Sequence, residues 1–181
     1  MAGPPVRTDI VDVYIYRRAA AGTRADVHFL QMRRCRGALA GTWHPVMGHI
    51  EEGETAAEAA ARELAEETGW DCRAPAPGKA VRGFWQLEAV NTYFLHRLNC
   101  IMMSPCFAVE VAGDAEPQRD DSHDAHRWIP REAAAMRFIW PGQRTAVATI
   151  LRDVVSESST VAAHLSIDTL PCPGKERDPH G

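Results

Sequence analysis

The sequence predicts one mixed α/β domain, and three observations lead to that fold class. Residues Ile10–Tyr16 alternate and are rich in β-branched and aromatic side chains, as strands are, and Val27–Met32 is interpreted as a second strand. Residues 56–68 combine alanine and glutamate between helix start and stop signals. A chain of 181 residues that is 45% hydrophobic is long enough to bury one sizeable core.

The first two strands are separated by a short segment around Ala20–Gly22, which predicts a turn and therefore a hairpin. Trp43–Met47 is predicted to be a short extended segment before the helix. The second half of the chain returns to strand composition and then to helical spacing. Its predicted strands are Val81–Leu87, Thr92–Leu98, Ile101–Val111 and His126–Ile129, and its predicted helices run from Pro130 to Arg137 and from Gln143 to Val155.

These elements divide the chain into three parts. Residues 1–8 are predicted to be a flexible N-terminus and residues 9–155 the folded domain. Residues 156–181 begin rich in serine and threonine and end rich in proline and charge, a composition that predicts a mobile tail.

Composition excludes some classes of partner. A net charge of -4 and an isoelectric point near 6.1 argue against a nucleic-acid polymer as the main ligand, because such proteins present a basic face. The five cysteines show no metal-ligand spacing and indicate a reducing compartment. Without an apolar signal core or a segment of membrane-spanning length, the chain is expected to be cytoplasmic and to have no membrane partner.

The helix at 56–68 has explicit boundaries in its sequence. Thr55 and Glu58 form the pattern of a capping box, and Gly69 is a typical C-terminal stop. Small side chains recur on one side and predict close packing against a sheet. That side consists of Ala57, Ala60, Ala61, Leu64 and Thr68.

Three carboxylates share another side of this helix. Glu63, Glu66 and Glu67 lie at positions i, i+3 and i+4, and Arg62 can balance one of them at most. A solvent-exposed acidic face is one interpretation. The other is a magnesium site, because clustered hard oxygens beside the backbone of the Gly48–Gly53 loop are the ligands that Mg²⁺ accepts.

The same segment resembles the Nudix box, whose signature is G-x5-E-x7-R-E-U-x-E-E-x-G-U, where U is a bulky apolar residue. All fixed positions match in register: Gly48, Glu54, Arg62, Glu63, Leu64, Glu66, Glu67, Gly69 and Trp70. The resemblance implies an α/β/α sandwich around a mixed β-sheet, with the box as a loop–helix–loop.

The resemblance also implies roles for these residues. Glu63, Glu66, Glu67 and the Gly48 carbonyl would hold Mg²⁺, for which Mn²⁺ can substitute, and Glu63 would activate water. Arg62 would steer the glutamates, while Glu54 and Gly69 would support the box. The reaction implied is hydrolysis of a diphosphate linkage.

Segments outside the box are similar to dihydroneopterin triphosphate and dATP pyrophosphohydrolases, namely Trp43–Thr55 and Trp140–Arg144. They predict a nucleoside or pterin triphosphate as the small-molecule partner, with pyrophosphate as product. Arg33 and Arg34 would bind phosphate, unless they are ordinary surface arginines, and Trp43, His44 and Trp140 would contact the ring, unless they belong to the core.

The loop before the last strand departs from that subgroup. Ser122 stands where the subgroup often has an auxiliary glutamate, which Asp121 or Asp124 would have to replace. His123 and His126 are interpreted as surface histidines.

Two other functions stay open: an ADP-ribose or nucleotide-sugar pyrophosphatase, and a Nudix-fold module that senses a nucleotide without cleaving it. A homodimer also stays open.

Overall fold

Among the described residues, an eight-stranded mixed sheet forms the centre of the fold. The computed structural model of the protein describes residues 3–18, 26–37, 39–73, 75, 78–118, 121–168 and 170. In chain order the strands are β1 (Val6–Arg7), β2 (Ile10–Arg18), β3 (Val27–Arg34), β4 (Trp43–His44), β5 (Val46–His49), β6 (Val81–Leu95), β7 (Cys100–Val111) and β8 (His123–Pro130).

Strand β2 lies at the middle of the sheet and pairs with three others. It is antiparallel to β3 and β5 and parallel to β7. Beyond β7 lie β6, which is antiparallel, and the short β1, which is parallel. Strands β4 and β8 pair with β3. The antiparallel pairing of β2 with β3 confirms the predicted hairpin, whose turn around Ala20–Gly22 lies outside the described residues.

Helices cover both faces of the sheet. They are α1 (Ala56–Thr68), α2 (Arg131–Arg137), α3 (Pro141–Thr149) and α4 (Ala162–Leu165); a 3₁₀ turn spans His96–Leu98, and a π-helical segment, Ile150–Val155, continues α3. No helix among the described residues is long and apolar enough to cross a membrane.

Two hydrophobic cores show how the layers are arranged. On one face, α1 packs its small buried side and Leu64 against Val11, Val13 and Ile15 of β2. On the other face, Tyr14 and Tyr16 of the same strand pack with residues of α2 and α3. Because side chains alternate along a strand, β2 serves both cores. The predicted fold class, an α/β/α sandwich around a mixed sheet, is confirmed.

The ends of α1 are fixed by the residues that the sequence indicates. The Thr55 hydroxyl accepts a hydrogen bond from the Glu58 amide at 3.2 Å, and Glu58 accepts one from the Thr55 amide at 2.7 Å. Gly69 ends the helix in the left-handed conformation, with φ of 75°. The box is therefore a loop followed by a rigid helix of the predicted length, which sets the positions of its carboxylates.

Two predicted elements differ from the observed ones. The two strands predicted at 81–87 and 92–98 are one strand, β6, which stays paired with β7 through a register shift between Gln86 and Val90. The last long helix starts at Pro141 rather than Gln143, because proline is favoured in the first helical turn.

Both ends of the chain contain ordered segments that contact the sheet. Within the predicted flexible N-terminus, Val6 and Arg7 pair with β7. Within the predicted mobile tail, α4 contacts β6. Residues 171–181 of that tail lie outside the described residues.

Candidate active site

One arginine organises the carboxylates of α1. The guanidinium of Arg62 donates to both oxygens of Glu54, at 2.9 and 3.0 Å, to Glu63 at 2.8 Å and to Glu66 at 3.3 Å. It also donates to the carbonyl of His49 at 2.7 Å, in the loop that precedes the helix. These bonds fix the loop against the helix, and they lower the pKa of Glu54.

Glu63 lies closest to the Gly48 backbone. A Cβ atom at position 48 would lie 1.7 Å from the Glu63 carboxyl carbon, so only glycine leaves room for this side chain. The Glu63 side chain is 14% exposed. Burial raises the pKa of Glu63, and the nearby charge of Glu66 adds to the rise, against the lowering effect of Arg62. The site therefore holds a partly buried carboxylate beside another negative charge.

The other two carboxylates have different environments. The Glu66 side chain is largely exposed, whereas Glu67 is buried with its Oε2 atom 3.8 Å from Nε2 of His123. His123 is itself buried, so the interpretation of this residue as a surface histidine is wrong. His123 is the first residue of strand β8, and its Nδ1 lies 3.0 Å from the Ser122 hydroxyl.

The donor chemistry fits a divalent cation. Glu63, Glu66, Glu67 and the Gly48 carbonyl are hard oxygen donors, the ligands that Mg²⁺ and Mn²⁺ take. No three acidic, histidine or cysteine side chains of the described residues already surround a common point. Arg62 contacts Glu63 and Glu66 instead, so these two carboxylates would have to turn from it to bind a cation.

Glu63 and Gly48 open onto a cleft of about 380 Å³ with two chemically different parts. Three arginines, Arg7, Arg34 and Arg36, lie in its wall. The rest of the lining is mainly apolar: Ile10, Leu39, Met47, Tyr93, Leu95, Leu98 and Met102, with His49 and Ser122 as further polar members. The cleft thus joins a cationic part to an apolar part beside the box.

Several residues predicted to contact substrate are engaged elsewhere. Arg33 donates two hydrogen bonds to Asp124, at 2.7 and 2.9 Å, and only its neighbour Arg34 lines the cleft. Trp43 lies under the guanidinium of Arg127, 4.0 Å from its ring centre. His44 is buried, and burial lowers its pKa to about 4, so its ring is neutral at pH 7.

Trp140 is connected to the cleft through a second aromatic residue. Its ring stacks on Tyr93 with centroids 4.6 Å apart and planes within 11°. Tyr93, Arg7 and Met102 were not identified from the sequence. Arg7 reaches the cleft because β1 pairs with β7, which is a long-range contact without a local signal.

The loop before β8 supplies Ser122 to the cleft. Of the two aspartates considered as replacements for an auxiliary glutamate, Asp124 is paired with Arg33. Asp121 is exposed, and its carbonyl contacts the Cys35 thiol at 3.3 Å. A metal-binding role for either aspartate stays a prediction.

Comparison with known proteins gives a family for most of the chain. The family model of the NUDIX domain matches residues 7–150. A curated protein from Myxococcus xanthus, named an octanoyltransferase, is 35% identical over 147 residues. The match covers 81% of this chain but only 37% of that protein's length.

Solved structures share the fold at low sequence identity. An Ap4A hydrolase of C. elegans, in a binary complex, superposes with a TM-score of 0.62 at 18% identity, over 80% of this chain and 96% of that one. The dihydroneopterin triphosphate pyrophosphohydrolase of E. coli superposes with a TM-score of 0.58 at 21% identity, over 76% and 91% of the two chains.

Proposed function

The chain belongs to the NUDIX family, whose hydrolases act on pyrophosphate bonds, and from this premise we propose that it cleaves a nucleoside or pterin triphosphate and releases pyrophosphate. One observation carries the proposal: Glu63 of the box shares a single cleft with three arginines and an apolar wall. The arginines suit a chain of phosphates, which they bind by charge-assisted hydrogen bonds. The apolar wall suits a planar ring.

The residues of the box are proposed to hold the reacting groups. A divalent cation such as Mg²⁺ would be bound by Glu63, Glu66, Glu67 and the Gly48 carbonyl, and family members generally use such a cation. When bound, it would neutralise phosphate charge and lower the pKa of a coordinated water. Arg62 holds Glu63 and Glu66 beside the Gly48 loop through the hydrogen bonds described above, and the two carboxylates would turn from Arg62 when the cation binds.

Proton transfer is assigned to Glu63. Its burial raises its pKa, which makes its carboxylate a stronger base for the attacking water. A new bond forms between the water oxygen and the α-phosphorus, and the bond between the α-phosphorus and the α–β bridging oxygen breaks. The proton passes to Glu63, and pyrophosphate leaves with the bridging oxygen. Arg7, Arg34 and Arg36 would hold the phosphates during this step.

A product assay across a panel of substrates tests the proposal. The panel contains dihydroneopterin triphosphate, the nucleoside triphosphates, ADP-ribose, a nucleotide sugar and a dinucleoside tetraphosphate, each with Mg²⁺ and with EDTA. We expect pyrophosphate from a triphosphate, lost in EDTA. Cleavage of ADP-ribose or of the nucleotide sugar alone would favour the alternative pyrophosphatase function, and binding without cleavage would favour a sensor.

A further inference from the structure

A row of buried polar side chains lies behind the inner wall of the cleft. Alternation along β2 places Asp12 on the same face of the sheet as Ile10, which lines the cleft, and Tyr14, which belongs to the core. Asp12 also pairs directly with Met47, another lining residue. Asp12 therefore lies at the boundary between the cleft and the core beneath α3.

The two oxygens of Asp12 differ in their contacts with the described residues. Oδ2 accepts from the Asn91 amide at 2.9 Å and from the Tyr14 hydroxyl at 3.2 Å, whereas Oδ1 is buried and makes no hydrogen bond of normal geometry with them. The Ser104 hydroxyl and the Gln143 amide lie close enough to Asp12 to lower its pKa, against the larger effect of burial. Burial raises the Asp12 pKa to about 6, so the side chain is mainly a charged acceptor at neutral pH. Leaving such an oxygen unsatisfied is unfavourable, and a donor group of a bound molecule would offset this cost.

Two other side chains behind the cleft wall also present unpartnered atoms. Asn91 Oδ1 and Trp140 Nε1 are buried without a hydrogen bond to any described residue. Asn91 donates its amide to Asp12, and Trp140 stacks on the cleft residue Tyr93. Gly142, in the first turn of α3, leaves room for Asn91, because a Cβ there would lie 2.2 Å from Asn91 Oδ1. Behind the inner wall of the cleft, the described residues thus present two acceptor oxygens and one donor N–H that make no hydrogen bond with one another.

We propose that Asp12, Asn91 and Trp140, the polar row, bind the edge of the substrate ring and select a 2-amino-4-oxopyrimidine ring, the element that guanine and pterins share. That edge presents an N–H and an amino group as donors beside a carbonyl acceptor, which complements two acceptors and one donor. Adenine, cytosine and uracil each present only one donor group on the corresponding edge. The assignment rests on the proposed function, since it names the ring of the same triphosphate substrate.

Met47 and Tyr93 separate the polar row from the open cleft. Met47 is 5% exposed, and its sulfur receives a weak contact from the Gln143 amide at 3.9 Å. An unbranched thioether changes rotamer more easily than a branched side chain. Met47 is therefore the residue that would move to admit the ring, while Tyr93 stays stacked on Trp140.

The test compares GTP with ITP, which differ only in the 2-amino group. In the wild-type protein we expect kcat/KM to be about 10- to 100-fold higher for GTP, as one hydrogen bond to a charged group implies. The isosteric Asp12→Asn variant should bring this ratio close to one. Asp153→Asn is the matched control, because it makes the same chemical change at a carboxylate that pairs with the exposed Arg152 and does not line the cleft; it should keep the ratio.

Equal wild-type values for GTP and ITP would overturn the proposal, even if Asp12→Asn fails to fold. A ratio that persists in folded Asp12→Asn would overturn the role of Asp12. If no triphosphate is hydrolysed, the proposed function fails separately. In that case, calorimetry with Glu63→Gln measures the affinities for GTP and ITP directly. Tighter binding of GTP than of ITP supports ring selection by the polar row, whereas equal affinities, or no binding of GTP, overturn it.

Discussion

Arg62 hydrogen-bonds both oxygens of Glu54, at 2.9 and 3.0 Å, and so joins the middle of α1 to the loop that precedes it. The same guanidinium contacts Glu63 and the carbonyl of His49. A planar fork with five N–H donors can make such a set of bonds, and an ammonium cannot. The stability of the box and the placement of Glu63 are therefore coupled through one side chain.

Replacing Arg62 by lysine keeps the charge and removes the fork. We expect Arg62→Lys to lower the free energy of unfolding by about 1–3 kcal/mol, because partly buried acceptors lose their partners. Urea unfolding at pH 7 measures the change. Arg131→Lys is the control, since Arg131 pairs with exposed Glu132 and should cost less than about 0.5 kcal/mol. Equal costs for the two variants would contradict the role of the fork.

The close approach of Gly48 to Glu63 predicts the effect of a single methyl group. A Cβ at position 48 would overlap the Glu63 carboxyl group, so Gly48→Ala must displace that carboxylate. We expect Mn²⁺ affinity, measured by calorimetry, to fall by about 10- to 100-fold. Gly3→Ala has open space around its added Cβ and should bind Mn²⁺ as the wild type does. Unchanged affinity in Gly48→Ala would separate Glu63 from the metal site.

Two adjacent arginines should differ in their effects on substrate. Arg34 lines the cleft, and Arg33 is held by Asp124. We expect Arg34→Ala to lower kcat/KM by about 10- to 100-fold, the value of one charge-assisted hydrogen bond to phosphate. Arg33→Ala should change it by less than about threefold. The same loss in both variants would show that the phosphates do not bind where the cleft places them.

Asp12 should make stability depend on pH in an unusual direction. Its folded pKa is about 6 and its ordinary value 3.8, so the folded protein holds this proton more tightly than the unfolded chain. The contribution of Asp12 is therefore most favourable below about pH 4 and falls as the pH rises to about 6, by about 3 kcal/mol in total.

Asp12→Asn removes this titration. Between about pH 4 and pH 7, the stability of the variant should rise relative to the wild type by most of this amount, about 2 kcal/mol. Urea unfolding of both proteins at the two pH values measures the difference and cancels the other titrating groups. A difference that is the same at both pH values would contradict the raised pKa of Asp12.

The parts of the site that the sequence predicts are those set by local contacts. The Thr55–Glu58 cap, the Gly69 stop and the Arg62 contacts all lie within or beside one helix, so spacing along the chain is sufficient to place them. Family resemblance then added their functional meaning, which the capping pattern alone does not contain.

Long-range contacts explain what the sequence did not predict. Arg7 enters the cleft through a two-residue strand paired with β7, and His123 at the start of β8 is buried beside Glu67 of the box. Arg34 lines the cleft and Arg33 pairs with Asp124, and the register of the β3–β8 pairing shifts between these two residues, a feature that only the assembled sheet shows. The polar row of Asp12, Asn91 and Trp140 was not predicted, because a single aspartate in an apolar strand has no recognisable motif around it.

The assignment of the box as the catalytic site is tested most directly by the turnover of Glu63→Gln on the panel substrate that the wild type hydrolyses fastest. We predict a loss of about 10²- to 10⁴-fold in kcat, as expected for removal of a general base, with the thermal midpoint of unfolding unchanged. Glu88→Gln, at an exposed position of β6, should retain wild-type turnover. Wild-type turnover in a folded Glu63→Gln variant would contradict the assignment of the box as the catalytic site.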